Sequence, residues 1–259
     1  MGFTPTLFLP YQIELKRFND MANYIFHPAL SRGHVQHGWL NTYHTFSFAQ
    51  YYNPERVHFG ALRVLNDDTV DGAQGFGMHP HDNMEIITIP LEGALKHQDS
   101  MGNAAIISAG EIQVMSAGTG IYHSEYNANA DIHVKLLQIW VFPNQKNVTP
   151  RYDQIAIKTH FLRNQLQQIV SPSPSDAGVW IHQEAWFHLG TFDRDQSVPY
   201  TVQKEGNGVY AFVIRGKALI DGQVLEARDG LGIWETSQIQ IQTLETDTYL
   251  LLMEVPMIF

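Results

Sequence analysis

The chain has 259 residues, 44% of them hydrophobic, enough for one large core or two smaller ones. Its formal net charge of −10 argues against a protein that coats nucleic acid or an anionic membrane by electrostatics. With no cysteine, disulfides, thiolate metal sites and thiol nucleophiles are excluded.

A cysteine-free chain suits a reducing cytosol, and no apolar run is long enough to cross a bilayer, so a cytoplasmic location without membrane contact is expected. Met1 to Pro10 lacks the basic flank and small-residue cleavage site of a signal peptide. After Met21 the run Ala-Asn-Tyr-Ile-Phe opens a strand, so residues 1–21 are taken as an N-terminal extension. From residue 22 onward, short β-branched and aromatic runs are punctuated by Gly, Asn, Asp and Pro, the pattern of an all-β protein. Strands are predicted at 59–65, 85–91, 94–98, 104–108, 112–115 and 134–142. Asp99-Ser-Met-Gly102 is a hairpin turn between two of them. Asn66-Asp-Asp-Thr69 reads as a polar turn with solvated carboxylates.

The stretch Gly75-Phe-Gly-Met-His79-Pro-His81-Asp-Asn-Met-Glu85 carries the strongest chemistry. On an extended chain, residues two apart share a face, so His79 and His81 present both imidazoles on one side, with Pro80 stiffening the pair. Several predicted strands later, Gly118-Thr-Gly-Ile-Tyr-His123-Ser-Glu125 offers a second pair by the same rule, and Gly118 and Gly120 permit the turn that delivers His123 inward. A lone His-x-His or His-x-Glu is weak, because an exposed strand can carry either for no reason. Together, with glycine turns before both, they point to one divalent transition metal held by His79, His81, His123 and Glu125, with coordination positions left open. Glu85 stands four residues after His81 and reads as a hydrogen-bonding neighbour of an imidazole or a surface carboxylate before a ligand. The other ten histidines, His97 among them, have no partner histidine two residues away and read as surface or structural.

Past Pro143 the composition changes. Residues 144–150 are polar and end in proline, a linker, and 171–178 form a Ser/Pro loop. Strands resume at 179–182, 185–192, 209–215, 217–220, 232–235 and 249–254. Leu91-Glu-Gly-Ala-Leu with Ser108-Ala-Gly-Glu is echoed by Ile214-Arg-Gly-Lys-Ala-Leu with Ala227-Arg-Asp-Gly, so one jelly-roll barrel occurs twice, over 22–143 and 144–259. The second copy has no His-x-His and is expected to bind no metal. There is no Gly-x-Ser-x-Gly, phosphate loop or dinucleotide fingerprint, and no basic patch for direct nucleic-acid binding.

These residues resemble the cupin superfamily and, within it, the pirin family. The resemblance is carried by His79-Pro-His81, by Ser116-Ala-Gly-Thr-Gly-Ile-Tyr-His123-Ser-Glu125, and by Gly38-Trp-Leu, His44-Thr-Phe-Ser-Phe48 and Leu62-Arg-Val-Leu-Asn66-Asp. It implies an all-β bicupin of two tandem cupin barrels, with the metal in the first. His79, His81, His123 and Glu125 match the family's ligands, whereas Glu85 matches a cupin position that pirins do not usually employ. Asp82-Asn-Met84 departs from the Arg-Gly-Phe found in many members, which bears on the pocket rim. The resemblance implies Fe(II), with Mn, Ni, Cu, Co or Zn also compatible with the donor set. It implies an activity close to bacterial pirin-like quercetin 2,3-dioxygenases, opening a flavonol-like aromatic substrate with dioxygen. Glu125 would then orient or deprotonate the substrate hydroxyl, and Phe46, Phe48 and Met115 would line an apolar pocket. The competing class is a redox-responsive regulator whose metal alters its surface for a protein partner, as in the nuclear pirins of animals.

Overall fold

A computed structural model describes residues 22–157 and 163–259. The extension read at 1–21 and His160 lie outside the described residues. The first half contributes strands β1 (Asn23–His27), β2 (Gly33–Gln36), β3 (Leu40–His44), β4 (Leu62–Val70), β5 (Gly75–His81) and β6 (Glu85–Glu92). It continues with β7 (Ala94–Asp99), β8 (Ala104–Ser108), β9 (Glu111–Ser116), β10 (Ile121–Asn127), β11 (Val134–Val141) and β12 (Arg151–Ala156). The second half adds β13 (Gln167–Ser171), β14 (Val179–Trp180), β15 (Trp186–Phe192), β16 (Ser197–Thr201), β17 (Asn207–Arg215), β18 (Ala218–Ile220), β19 (Gln223–Leu225), β20 (Gly230–Trp234), β21 (Gln238–Thr243) and β22 (Thr248–Pro256), and a single 3-10 turn at Ala29–Ser31 is the helical element among the described residues.

Each half contains a seven-stranded and a four-stranded sheet, the double-sheet jelly roll expected from the internal repeat. In the first half the order β12-β9-β6-β11-β4-β3-β2 accompanies β5-β10-β7-β8. The second half has the large sheet β1-β20-β17-β22-β15-β13-β14 and the small sheet β16-β21-β18-β19. Two strands cross the division drawn at 143/144. β12 follows the linker and pairs with β9, so the first barrel's sheet extends to Ala156. β1 pairs with β20 and joins the second barrel. Residues 144–150 therefore join two strands of the same sheet, β11 and β12. Composition carries no information about which sheet accepts the strand on either side of a polar stretch.

The central strands explain the packing. In β6 the run Ile86-Ile-Thr-Ile89 is buried throughout rather than alternating, because both faces are covered. Ile87 and Ile89 join Val114, Leu137 and Ile139 in a core that also holds Ile169, Phe187, Tyr210, Leu251 and Met253 from the second half. The largest core therefore lies between the two barrels. The second barrel's own interior is filled by aliphatic and aromatic side chains such as Val209, Leu231, Ile239 and Leu252. The first barrel's interior is different. Gln113, Thr88, Gln138, Asn66 and His44 stand directly across from one another on five successive strands, a polar row inside the barrel. Apolar clusters close either end, one around Leu40, Val70, Leu95 and Leu136, the other around Ile86, Met115, Ala117 and Ile121.

Asn66-Asp-Asp is accordingly not a turn but the middle of β4, and its carboxylates are not solvated. Alternation sends Asn66 and Asp68 into the first barrel, both under 5% exposed. Asp67 points the other way and is clamped by Arg32 at 3.1 Å and by Arg228 of the second half at 2.9 Å.

His27 ends β1 between the halves, its Nδ1 2.9 Å from the Tyr210 hydroxyl and its Nε2 without a partner. Burial, aided by Arg56, lowers its pKa to about 4. The unfolded chain therefore takes up a proton near pH 6.5 that the folded chain refuses until about pH 4, so this group removes stability as pH falls through that window. Between pH 6.5 and 4 the melting temperature of the metal-free wild type should drop relative to that of His27→Gln. Asp68 and Glu85, both pushed up to about 7 chiefly by burial, act oppositely in either protein, so the difference between the two isolates His27.

Candidate metal centre

Three imidazoles meet on adjacent strands. His79 on β5 lies directly opposite His123 on β10. The ring centroids of His79, His81 and His123 are separated by 4.4 to 4.9 Å, and one ring nitrogen from each lies within 4.8 Å of the others. The His79 Nδ1 donates to the Gly77 carbonyl at 2.7 Å, which leaves its Nε2 as the atom free to ligate. His81 stacks edge-on against Trp140 at 4.9 Å. His123 is 1% exposed, and neither of its ring nitrogens has a hydrogen-bond partner. Burying two unpaired nitrogens is costly, and a bound cation relieves that cost at one of them.

The electrostatics suit ligation. Burial, reinforced by the neighbouring imidazoles, lowers the pKa of His81 to about 4 and that of His123 to about 3. Both rings are neutral at pH 7, the form that offers a lone pair to a metal.

Glu125 sits slightly apart. Between His79 and Phe76, β5 carries one residue more than β10 does between His123 and Glu125, a bulge that shifts the register. The Glu125 carboxylate groups with His123 and His97 rather than with all three of the predicted histidines. It is 2% exposed and accepts hydrogen bonds from Gln138 Nε2 at 2.7 Å and Thr88 Oγ1 at 3.3 Å, both members of the polar row. These bonds hold a carboxylate beside the imidazoles, and the nitrogen and oxygen donors together fit a divalent transition metal.

The turn preceding His123 is fixed by contact. A Cβ on Gly118, whose φ is +50°, would stand 2.0 Å from the Val148 carbonyl oxygen. Only glycine lets the linker approach this closely. The Asp82-Asn-Met84 rim ties the two ligand segments together: the Asn83 amide donates to the Gly118 carbonyl at 2.9 Å, and its side-chain oxygen accepts from the Asn147 amide at 2.7 Å.

Other expectations are corrected. His97 is not a surface residue. It is fully buried on β7 directly across from Glu125, 3.2 Å from the Asp99 carboxylate and with its ring 5.3 Å from that of His123. The signal was present in His97-Gln-Asp99, since two acidic or imidazole side chains two apart on a strand share a face. Glu85 takes no part in the group. The Asp82–Met84 turn ends β5, so alternation does not carry across to Glu85, which begins β6 in the other sheet and accepts from Ser116 Oγ at 2.7 Å. Phe48 lines the adjoining cavity, but Phe46 lies in the core between the halves and Met115 in an apolar end cluster.

That cavity, about 550 Å³, opens beside His79, His81 and Glu125 and has aromatic walls from Trp39, Phe48, Phe76 and Trp140. Among the described residues no lysine or arginine lines it. Among the described residues no helix is long and apolar enough to cross a membrane.

A family model for Pirin matches residues 26–141, and one described as the Quercetinase C-terminal cupin domain matches 168–255. The quercetin 2,3-dioxygenase of Escherichia coli (strain K12) is 43% identical over 229 residues, 88% of this chain and 96% of that protein. A pirin-like protein of Caulobacter vibrioides is 37% identical, covering 82% of this chain and 91% of its own length. Among solved structures, the bacterial pirin YhhW of Escherichia coli in complex with nickel(II) superposes with a TM-score of 0.85 at 40% identity, over 90% of this chain and 99% of that one. A quercetin 2,3-dioxygenase from Acinetobacter baumannii shares the fold at 20% identity, with a TM-score of 0.74 over 91% of this chain and 87% of that one. Similarity of this extent, spanning both barrels and the histidine-bearing strands, makes the chain a member of the pirin family.

Proposed function

We propose that the chain is a metal-dependent dioxygenase that opens a flavonol-like polyphenol with dioxygen. One observation carries the reading: a cavity with four aromatic walls opens onto His79 and His81 of a cluster of three imidazoles. In this reading His79, His81 and His123, with Glu125 as fourth ligand, hold one divalent metal. Fe(II) is the first choice by family resemblance, and the nickel(II) complex of YhhW shows that a pirin accepts another ion of the same charge. When bound, the metal supplies Lewis acidity and open positions for oxygen ligands. The protein supplies the rest. Trp39, Phe48, Phe76 and Trp140 take a flat aromatic ligand out of water and orient it. Glu125, held by Gln138 and Thr88, would take the proton of a substrate hydroxyl in this reading. The second barrel, filled with aliphatic side chains, serves as a metal-free partner that packs against and stiffens the first.

The test is oxygen uptake by protein loaded in turn with iron, nickel, manganese, copper, cobalt and zinc. With at least one of these ions, quercetin should disappear in step with dioxygen, one molecule for one. Full metal occupancy with no uptake on any flavonol overturns the reading.

A further inference from the structure

One residue of the cavity wall is left unexplained by the metal and by the aromatic slot. Asp68 is 4% exposed and lines the cavity, yet its Oδ1 has no hydrogen-bond partner. A buried carboxyl oxygen without a donor is uncommon and calls for a function. The neighbours are otherwise satisfied. His44 and Asn66 close on each other, Nδ1 to Oδ1 at 2.8 Å, and the Thr42 hydroxyl faces Asp68 across the β3–β4 pair. Asp67 on the same strand points away to its arginines.

The position has a scale. Asn66 pairs with Gln138, the side chain that holds Glu125, and Asp68 lies two residues further along the same face of β4, about 7 Å on. That is the distance from one end of a fused ring system to hydroxyls on its far side. No lysine or arginine lines the cavity, so the unpaired Asp68 oxygen stands as an acceptor for a neutral O–H donor.

We propose that Asp68 is a specificity-determining residue of this cavity, accepting a hydrogen bond from a ring hydroxyl of a phenolic ligand whose chelating oxygens face the histidine cluster. This rests on the polyphenol reading of the site and adds to it a selection by hydroxyl pattern. Burial also raises the Asp68 pKa to about 7, so its carboxyl tolerates a site that offers no cation. A flavonol that lacks the distal hydroxyl leaves this oxygen unpaired, and sites of that kind reject such analogues strongly.

The experiment compares quercetin with 3-hydroxyflavone, which keeps the chelating oxygens and lacks the other hydroxyls. Binding to the metal-loaded protein is read anaerobically by quenching of tryptophan fluorescence, because Trp39 and Trp140 line the cavity. Wild type should prefer quercetin, and Asp68→Leu should lose about ten- to a hundredfold in quercetin affinity with 3-hydroxyflavone unchanged. Under air the loss should appear in KM rather than kcat. Asp68→Asn, which keeps an oxygen acceptor, should recover part of the discrimination. Metal content equal to wild type identifies folded variants. Wild-type selectivity surviving in Asp68→Leu, or an equal loss for both flavonols, overturns the proposal and leaves the dioxygenase reading intact. Failure of wild type to bind either flavonol overturns that reading and the proposal with it.

Discussion

Replacing His123 with alanine should empty the metal centre and end turnover. His123 belongs to both groups of side chains that could hold a metal, with His79 and His81 on one side and with His97 and Glu125 on the other. No other side chain is shared between them, and its ring sits on β10 between β5 and β7 with no alternative hydrogen-bond partner. Changing groups that merely support a ligand typically costs 10- to 100-fold in metal affinity, so removing this ligand should exceed about a hundredfold. Elemental analysis after dialysis reads the effect directly. A second readout is independent of activity: metal at about a hundred times its Kd should stabilise wild type by about 2.7 kcal/mol and leave the variant's melt unmoved. A variant that keeps a full complement of metal would show that His123 is not a ligand.

Phe187→Ala should cost about 3–5 kcal/mol, a large part of the stability of an ordinary domain. Phe187 is fully buried in β15 and packs in the core that joins the halves, not inside the second barrel. Because residues of both large sheets meet there, the loss should be felt by both barrels at once. Denaturant unfolding followed by far-ultraviolet circular dichroism and by metal release should give coincident transitions, both shifted to lower denaturant. Separate transitions, with the first half unaffected, would show that the core between the halves is not the shared support described above.

The legible part of the sequence was where side-chain chemistry and chain geometry agree. His79-Pro-His81 and His123 are readable because the period of two on an extended chain is independent of the partner strand. The double jelly roll was readable from the repeat of hairpins and glycine turns. What escaped has a common cause. Sequence patterns equate polar runs with solvent, but the first barrel lines its interior with Gln113, Thr88, Gln138, Asn66 and His44. Asn66-Asp-Asp therefore looked like a turn, although Val64, Asn66, Asp68 and Val70 alternate inward along β4. His97 has no second histidine two residues away to mark it, and its polar neighbour Glu125 lies across the sheet, where sequence spacing does not reach. Glu85 reads as a neighbour of an imidazole or a surface carboxylate, and the turn between sheets, which breaks alternation without breaking the local pattern, takes it to Ser116 instead. The exchange of β1 and β12 depends on tertiary pairing alone and leaves no mark in composition.

That exchange has a consequence for synthesis. As the chain emerges from the ribosome, His27 is made long before Gly230, the residue it must lie beside. The opening strand therefore waits, with its apolar side uncovered, while an entire barrel is translated and folded downstream of it. The first barrel in turn cannot complete its sheet until Arg151–Ala156 has cleared the tunnel. Cutting the gene at the linker would give one fragment lacking its edge strand and another lacking its first, so each would need the other in order to close.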